Sequence, residues 1–145
     1  MRHIDTIVVH CSATPSSMDV GVEEIEEWHI NRGWSEVGYH FVIRRDGTIE
    51  DGRDLDKVGA HAKGFNANSI GICYIGGVDS ELEPEDNKTQ AQSDALFDLI
   101  GALQVVFGRC NVLGHCDLPR VTKACPSFNV KEWYEREKSK RNAAR

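Results

Sequence analysis

The segment LGHCDLPRVTKACPSF, Leu113 to Phe128, concentrates reactive side chains. It holds His115, Cys116 and Cys125, with Lys123 two positions before the second cysteine. Its prolines and the Pro-Arg-Val-Thr connection prevent one continuous helix. A second histidine, His10, ends the β-branched run DTIVVH far upstream. Three chemistries suit such a set: a structural zinc closed by four ligands, a thiol site, or a catalytic metal held by three ligands with one position left for water. His10 and His115 both follow apolar runs that read as strands, and Cys125 lies ten residues beyond His115. Two strand ends and one adjoining loop can bring these three together. Spacing alone leaves open the plainer readings, hydrogen-bonded histidines and a small buried cysteine.

The elements that must position these residues follow from periodicity. DTIVVHC reads as a buried strand over about residues 5–11, with Val8 and His10 on one face and Ile7, Val9 and Cys11 on the other. VEEIEEWHINRGW reads as an amphipathic helix with Val22, Ile25, Trp28 and Ile30 as its apolar positions and Gly33 as its stop. Two strand-like runs flank Asp46-Gly47, a hairpin signal in which glycine supplies positive φ. NSIGICYIGG is a further buried strand, closed by Gly76-Gly77. After the polar loop VDSELEPEDNK, Thr89 and Gln92 form a capping box. The helix it opens carries Ala95, Leu96, Leu99, Ile100, Leu103 and Val106 as its apolar stripe. NVLGH is a short last strand. Asn129 with Glu132 caps a C-terminal helix to about Lys140, whose basic face is solvated. The order strand, helix, hairpin, strand, helix, strand, helix predicts a mixed α/β fold. One central mixed sheet of about five strands is flanked by helices in a single domain spanning 1–145, with its core at about 5–134.

Composition narrows the function classes. The chain has 145 residues and a formal net charge of −6, which argues against a nucleic-acid surface, since such surfaces are basic. There is no apolar stretch of transmembrane or signal-peptide length, so no membrane insertion is expected. The five cysteines, an odd number without a CxxC pair, fit thiols in a reducing cytoplasm. Cys73 reads as core and Cys110 as packing between the long helix and the last strand. Cys11 should face away from His10.

Four segments, VVHCSAT, GWSEVGYHFVIRRDGTIEDGRD, GAHAKGFNANSIGICYIGG and KACPSFNVKEW, resemble the phage-lysozyme-type zinc N-acetylmuramoyl-L-alanine amidases, relatives of the peptidoglycan recognition proteins. The resemblance spans about residues 5–134. It implies one Zn2+ per chain in a surface groove, with His10, His115 and Cys125 as ligands and Tyr39 and Lys123 as catalytic residues. It assigns Cys116 no ligand role. His61 and Asn68 are expected to line the substrate groove. The implied reaction is hydrolysis of the amide between the lactyl group of N-acetylmuramic acid and L-alanine of the stem peptide, with bacterial peptidoglycan as the partner. Without a signal peptide, such an endolysin would stay in the host cytoplasm after synthesis and reach the wall once a holin has permeabilised the membrane. The alternatives are a non-catalytic peptidoglycan-binding module and a regulator of a phage RNA polymerase. Cys125 and Tyr39 argue against the first, and the short segment before His10 argues against polymerase binding. The connection CDLPRVTKA is slightly longer than the family pattern.

Overall fold

A computed structural model describes residues 2–143; the last two residues of the basic tail lie outside the described residues. The first strand, β1, runs Thr6–Cys11 and is buried at every position. Helix α1 (Val22–Asn31) and the hairpin β2 (Phe41–Ile43) and β3 (Ile49–Asp51) follow. Next come β4 (Ser69–Tyr74), α2 (Gln90–Phe107), β5 (Asn111–Gly114) and α3 (Val130–Ala143). The five strands form one mixed sheet in the order β3-β2-β4-β1-β5. All neighbours pair in parallel except the β2–β3 hairpin. At its turn Gly47 has φ +90° and donates its N–H to Arg44 O at 2.9 Å, while Asp46 Oδ1 accepts the Thr48 N–H. No helix among the described residues is long and apolar enough to cross a membrane.

Strand alternation sorts the core onto two faces. Ile7, Val9, Cys11, Ile70, Ile72, Tyr74 and Ile43 pack with Leu96, Ile100, Leu103, Val130 and Trp133, so α2 and α3 cover that side. Val42 and Cys73 point the other way and pack against Ile25 of α1, with Val8 beside Ala62 and Leu118. His10 is in register with Cys73 and therefore shares this second face. Both faces of β1 and β4 are covered, which is why their sequences read as nearly unbroken apolar runs.

Three expected helix positions need correction. Trp28 and Ile30 are 37% and 50% exposed, and His29 is buried in their place. At 100° per residue, His29 lies about 40° round the helix from Ile25 whereas Ile30 lies about 140° away. On α2 the stripe is buried through Leu103, but Val106 is 57% exposed, one turn beyond the last position that reaches the core. Gly33 (φ +92°) ends α1 as expected, with the Trp34 N–H returning to His29 O.

The start of α2 is tied to the sheet by polar contacts. Thr89 Oγ1 accepts the Gln92 N–H at 3.0 Å and donates to Arg45 O at 2.8 Å. Buried Gln92 returns Oε1 to the Thr89 N–H and donates through Nε2 to Ile43 O at the end of β2 and Ile75 O just beyond β4. Between α2 and α3, Trp133 Nε1–H donates to Ser93 Oγ, whose hydroxyl donates to Glu137. Thr89→Ala should therefore cost about 1 kcal/mol through the lost cap. Gln92→Ala should cost more, about 2–4 kcal/mol, because it strands buried backbone groups as well. Denaturant unfolding with an unchanged slope reads both values, and equal losses would contradict this ranking.

Candidate metal centre

Two adjacent parallel strands end together. Val9 of β1 pairs with Gly114 of β5, so the next residue on each chain is a histidine, His10 and His115. After Gly114 the chain turns into a short 3-10 segment, His115–Asp117, held by the Gly114 N–H to Asp117 Oδ2 at 2.8 Å. The two imidazole rings lie with centroids 4.5 Å apart. The third member arrives on the following loop. That loop is fastened at its end: the Cys116 N–H donates to Cys125 O at 2.8 Å, Tyr74 O–H to Pro126 O at 2.7 Å, and Ser127 O–H to Gly77 O at 2.7 Å. One ligand atom from each of His10, His115 and Cys125 then lies within 4.8 Å of the others. Cys125 Sγ is 3.9 Å from His10 Nδ1.

The electrostatics suit a cation. Burial, then the neighbouring His61 and His115, hold His10 well below the ordinary imidazole range. Burial and the Lys123 ammonium lower His115. Both rings are thus neutral, the form that ligates metal. The Cys11 N–H donates to Cys125 Sγ at 3.2 Å, a contact that favours thiolate. The Cys11 thiol opposes it. Contact with that thiol and burial push Cys125 up, while the same contact brings Cys11 down to about 7. A cation at Cys125 Sγ would reverse this order, since ligation takes the thiolate. Two neutral imidazoles and one cysteine are a donor set for zinc. The observed separations approach the spacing of about 3.3–3.6 Å that tetrahedral Zn–N and Zn–S bonds require.

The remaining site residues fall in different places. The Tyr39 ring lies 5.0 Å from the His10 ring, and burial raises its phenol well above the ordinary range, so it stays a hydrogen-bond donor. Lys123 is exposed on the loop before Cys125, where its charge acts on His115. His61 lies behind His10 at 9% exposure, with its Nδ1 2.9 Å from His10 Nε2. Asn68 does not reach the centre: its Nδ2 donates to Asp5 Oδ1 and its carbonyl accepts the Asp5 N–H. Asp5 precedes β1 and His10 is near its far end, so parallel pairing puts Asn68 beside the start of β4, at the opposite end of the strands. Asn68 is therefore not brought together with the candidate ligands. Cys116 is half-buried and outside the ligand group, and Cys11 belongs to the α2–α3 side of the core.

Two contributors were not anticipated. His29 sits with Ser12, Trp28, Arg32 and Tyr39 around a small recess next to the centre, its Nδ1 accepting the Gly38 N–H. The polar residue one position beyond the apolar i, i+3 pair Ile25 and Trp28 was the available signal. Ser69, at the start of β4, reaches the back of His61, and no motif marked it.

Residues 1–128 match the family described as N-acetylmuramoyl-L-alanine amidase. The endolysin of Klebsiella phage KP32 is 52% identical over 130 residues, covering 90% of this chain and 85% of that protein. The endolysin of Escherichia phage T7 is 48% identical over 132 residues, covering 91% and 86%. Among solved structures, the N-acetylmuramoyl-L-alanine amidase LysC from Clostridium intestinale is similar with a TM-score of 0.80 at 33% identity, covering 97% of this chain and 87% of that one. By sequence and by fold, this chain belongs to the N-acetylmuramoyl-L-alanine amidase family.

Proposed function

We propose that the chain is a zinc-dependent endolysin that cleaves the amide between the lactyl group of N-acetylmuramic acid and L-alanine of the stem peptide, with His10, His115 and Cys125 holding one Zn2+. The convergence of these three side chains at two strand ends and one fastened loop carries the reading. The endolysin relatives and the amidase family support the substrate class. In this position a bound zinc supplies a water of pKa about 7 and polarises the amide carbonyl.

The chain's own groups do the rest. Tyr39, kept protonated beside His10, donates a hydrogen bond to the attacking water or relays a proton towards the leaving amine. Lys123 at the rim places positive charge where the carbonyl oxygen becomes an oxyanion. The recess formed by Trp28, His29 and Arg32 flanks Tyr39 and offers one wall for the substrate. The whole chain acts as a single amidase domain, and access to the wall runs through a membrane opened by a holin.

Digestion of purified peptidoglycan should release stem peptides beginning with L-alanine and no new reducing sugar ends. New reducing ends would indicate a glycosidase, and wall binding without release would indicate a recognition module. Stripping zinc should abolish turnover and lower the unfolding midpoint, and stoichiometric zinc should restore both. Full turnover by a verified metal-free sample would exclude the metal mechanism. Lys123→Ala and Tyr39→Phe should each retain about one zinc per chain and lose roughly 10²-fold or more in kcat. Cys125→Ser should lose zinc affinity and turnover together, whereas Cys116→Ser should keep both. Metal analysis paired with turnover checks all four, and zinc loss confined to Cys116→Ser would reassign the ligand.

A further inference from the structure

A chain of hydrogen bonds runs behind His10, and its direction is fixed from one end. Ser69 Oγ lies 2.7 Å from Phe65 O, an atom that can only accept, so the single hydroxyl proton is committed there. Ser69 Oγ also lies 3.2 Å from His61 Nε2. With its proton used, the oxygen accepts, and His61 carries its proton on Nε2. His61 Nδ1 is then a bare lone pair, 2.9 Å from His10 Nε2, and that contact requires the His10 proton to sit on Nε2. His10 Nδ1 is left without a proton. It is also the nitrogen that lies towards Cys125 Sγ, at 3.9 Å. The atom left bare by the hydrogen-bond chain is thus the atom that geometry presents to the ligand group.

The fold makes room for this arrangement. A Cβ at Gly71 of β4 would fall on the His61 ring, and one at Gly59 would meet both His61 and His40. The Asn66 carboxamide oxygen accepts the N–H groups of His61 and Ala62 at 2.9 Å each and holds the segment carrying the ring.

We infer that Ser69 and His61 select the tautomer and orientation of His10, so that His61 is a positioning residue for the metal ligand and not a wall of the substrate groove. The inference rests on His10 being a zinc ligand. A histidine ligand needs its second nitrogen engaged to present the first, and partners in that role typically affect metal affinity about 10–100-fold.

The test combines spectra of the parent protein with two variants. Long-range 1H–15N spectra of the zinc-loaded parent should show His10 protonated at Nε2 and metallated at Nδ1, with His61 protonated at Nε2. Chelator competition should show that His61→Ala binds zinc about 10–100-fold more weakly. His61→Asn, which keeps an acceptor oxygen near the place of Nδ1, should recover most of that affinity. A structural filler would show no such difference between Asn and Ala. A parent that binds no zinc would overturn the metal reading itself. A parent that binds zinc through His10 Nε2, or carries the His61 proton on Nδ1, would overturn only this inference, even if the variants fail to fold. Parental zinc affinity in a folded His61→Ala would do the same.

Discussion

The site depends on one constraint: β1 is hydrogen-bonded on both sides by parallel strands, β4 and β5. Parallel pairing makes neighbouring strands end on the same side of the sheet. The Val9–Gly114 register then delivers His10 and His115 side by side. A slip of one residue would turn His10 towards α2 and α3 and leave an apolar residue in its place. The apolar burial that holds this register is extensive, since every residue of β1 is buried. Core packing and ligand placement are therefore one determination: the residues that hold β1 in place also aim His10.

The remaining candidate ligand is placed by different means. Cys125 lies on a loop without regular structure, so no strand pairing carries it. It is fixed by hydrogen bonds to neighbouring backbone, from Cys116, Tyr74 and Ser127. Phe128 adds packing, its ring 5.9 Å from that of Tyr74 and 5.7 Å from that of Trp133. Two candidate ligands thus sit at or just beyond strand ends, and the third on a segment pinned onto the sheet. Lys123, two residues earlier, is on the exposed part of the same loop, where a charged group stays solvated.

Burial around the centre has an electrostatic cost that the fold manages by neutrality. His10, His61 and His40 are all buried and all held below the ordinary imidazole range, chiefly by burial. Each neutral ring is then both donor and acceptor, and each finds partners: His40 Nδ1 accepts the Gly71 N–H, and His61 spans Ser69 and His10. Among the described residues no buried side-chain nitrogen or oxygen lacks a hydrogen-bond partner. The buried polar groups of the cluster are thus hydrogen-bonded within the protein, which offsets the cost of burying them.

Much of this was legible in the sequence. The runs TIVVHC and SIGICY are long, apolar and β-branched because both faces are covered, so their identity as central strands survives without neighbours. The Thr89–Gln92 cap and the Asp46-Gly47 turn are local, and local chemistry decides them. The family motifs marked His10, Tyr39, His115, Lys123 and Cys125, and in the fold the three ligand candidates converge. What the sequence by itself could not determine is anything set by contact across the chain. Asn68 shares a segment with His61, yet parallel pairing sends it to the far end of the strands, beside Asp5. His29 is buried and Ile30 exposed because helix phase is set by what α1 rests on, not by hydropathy. The hydrogen bonds of His61 link Ser69, itself bonded to Phe65, on one side and His10 on the other. A proton's place on an imidazole is decided by partners distant in sequence, and only tertiary structure brings them within hydrogen-bond reach.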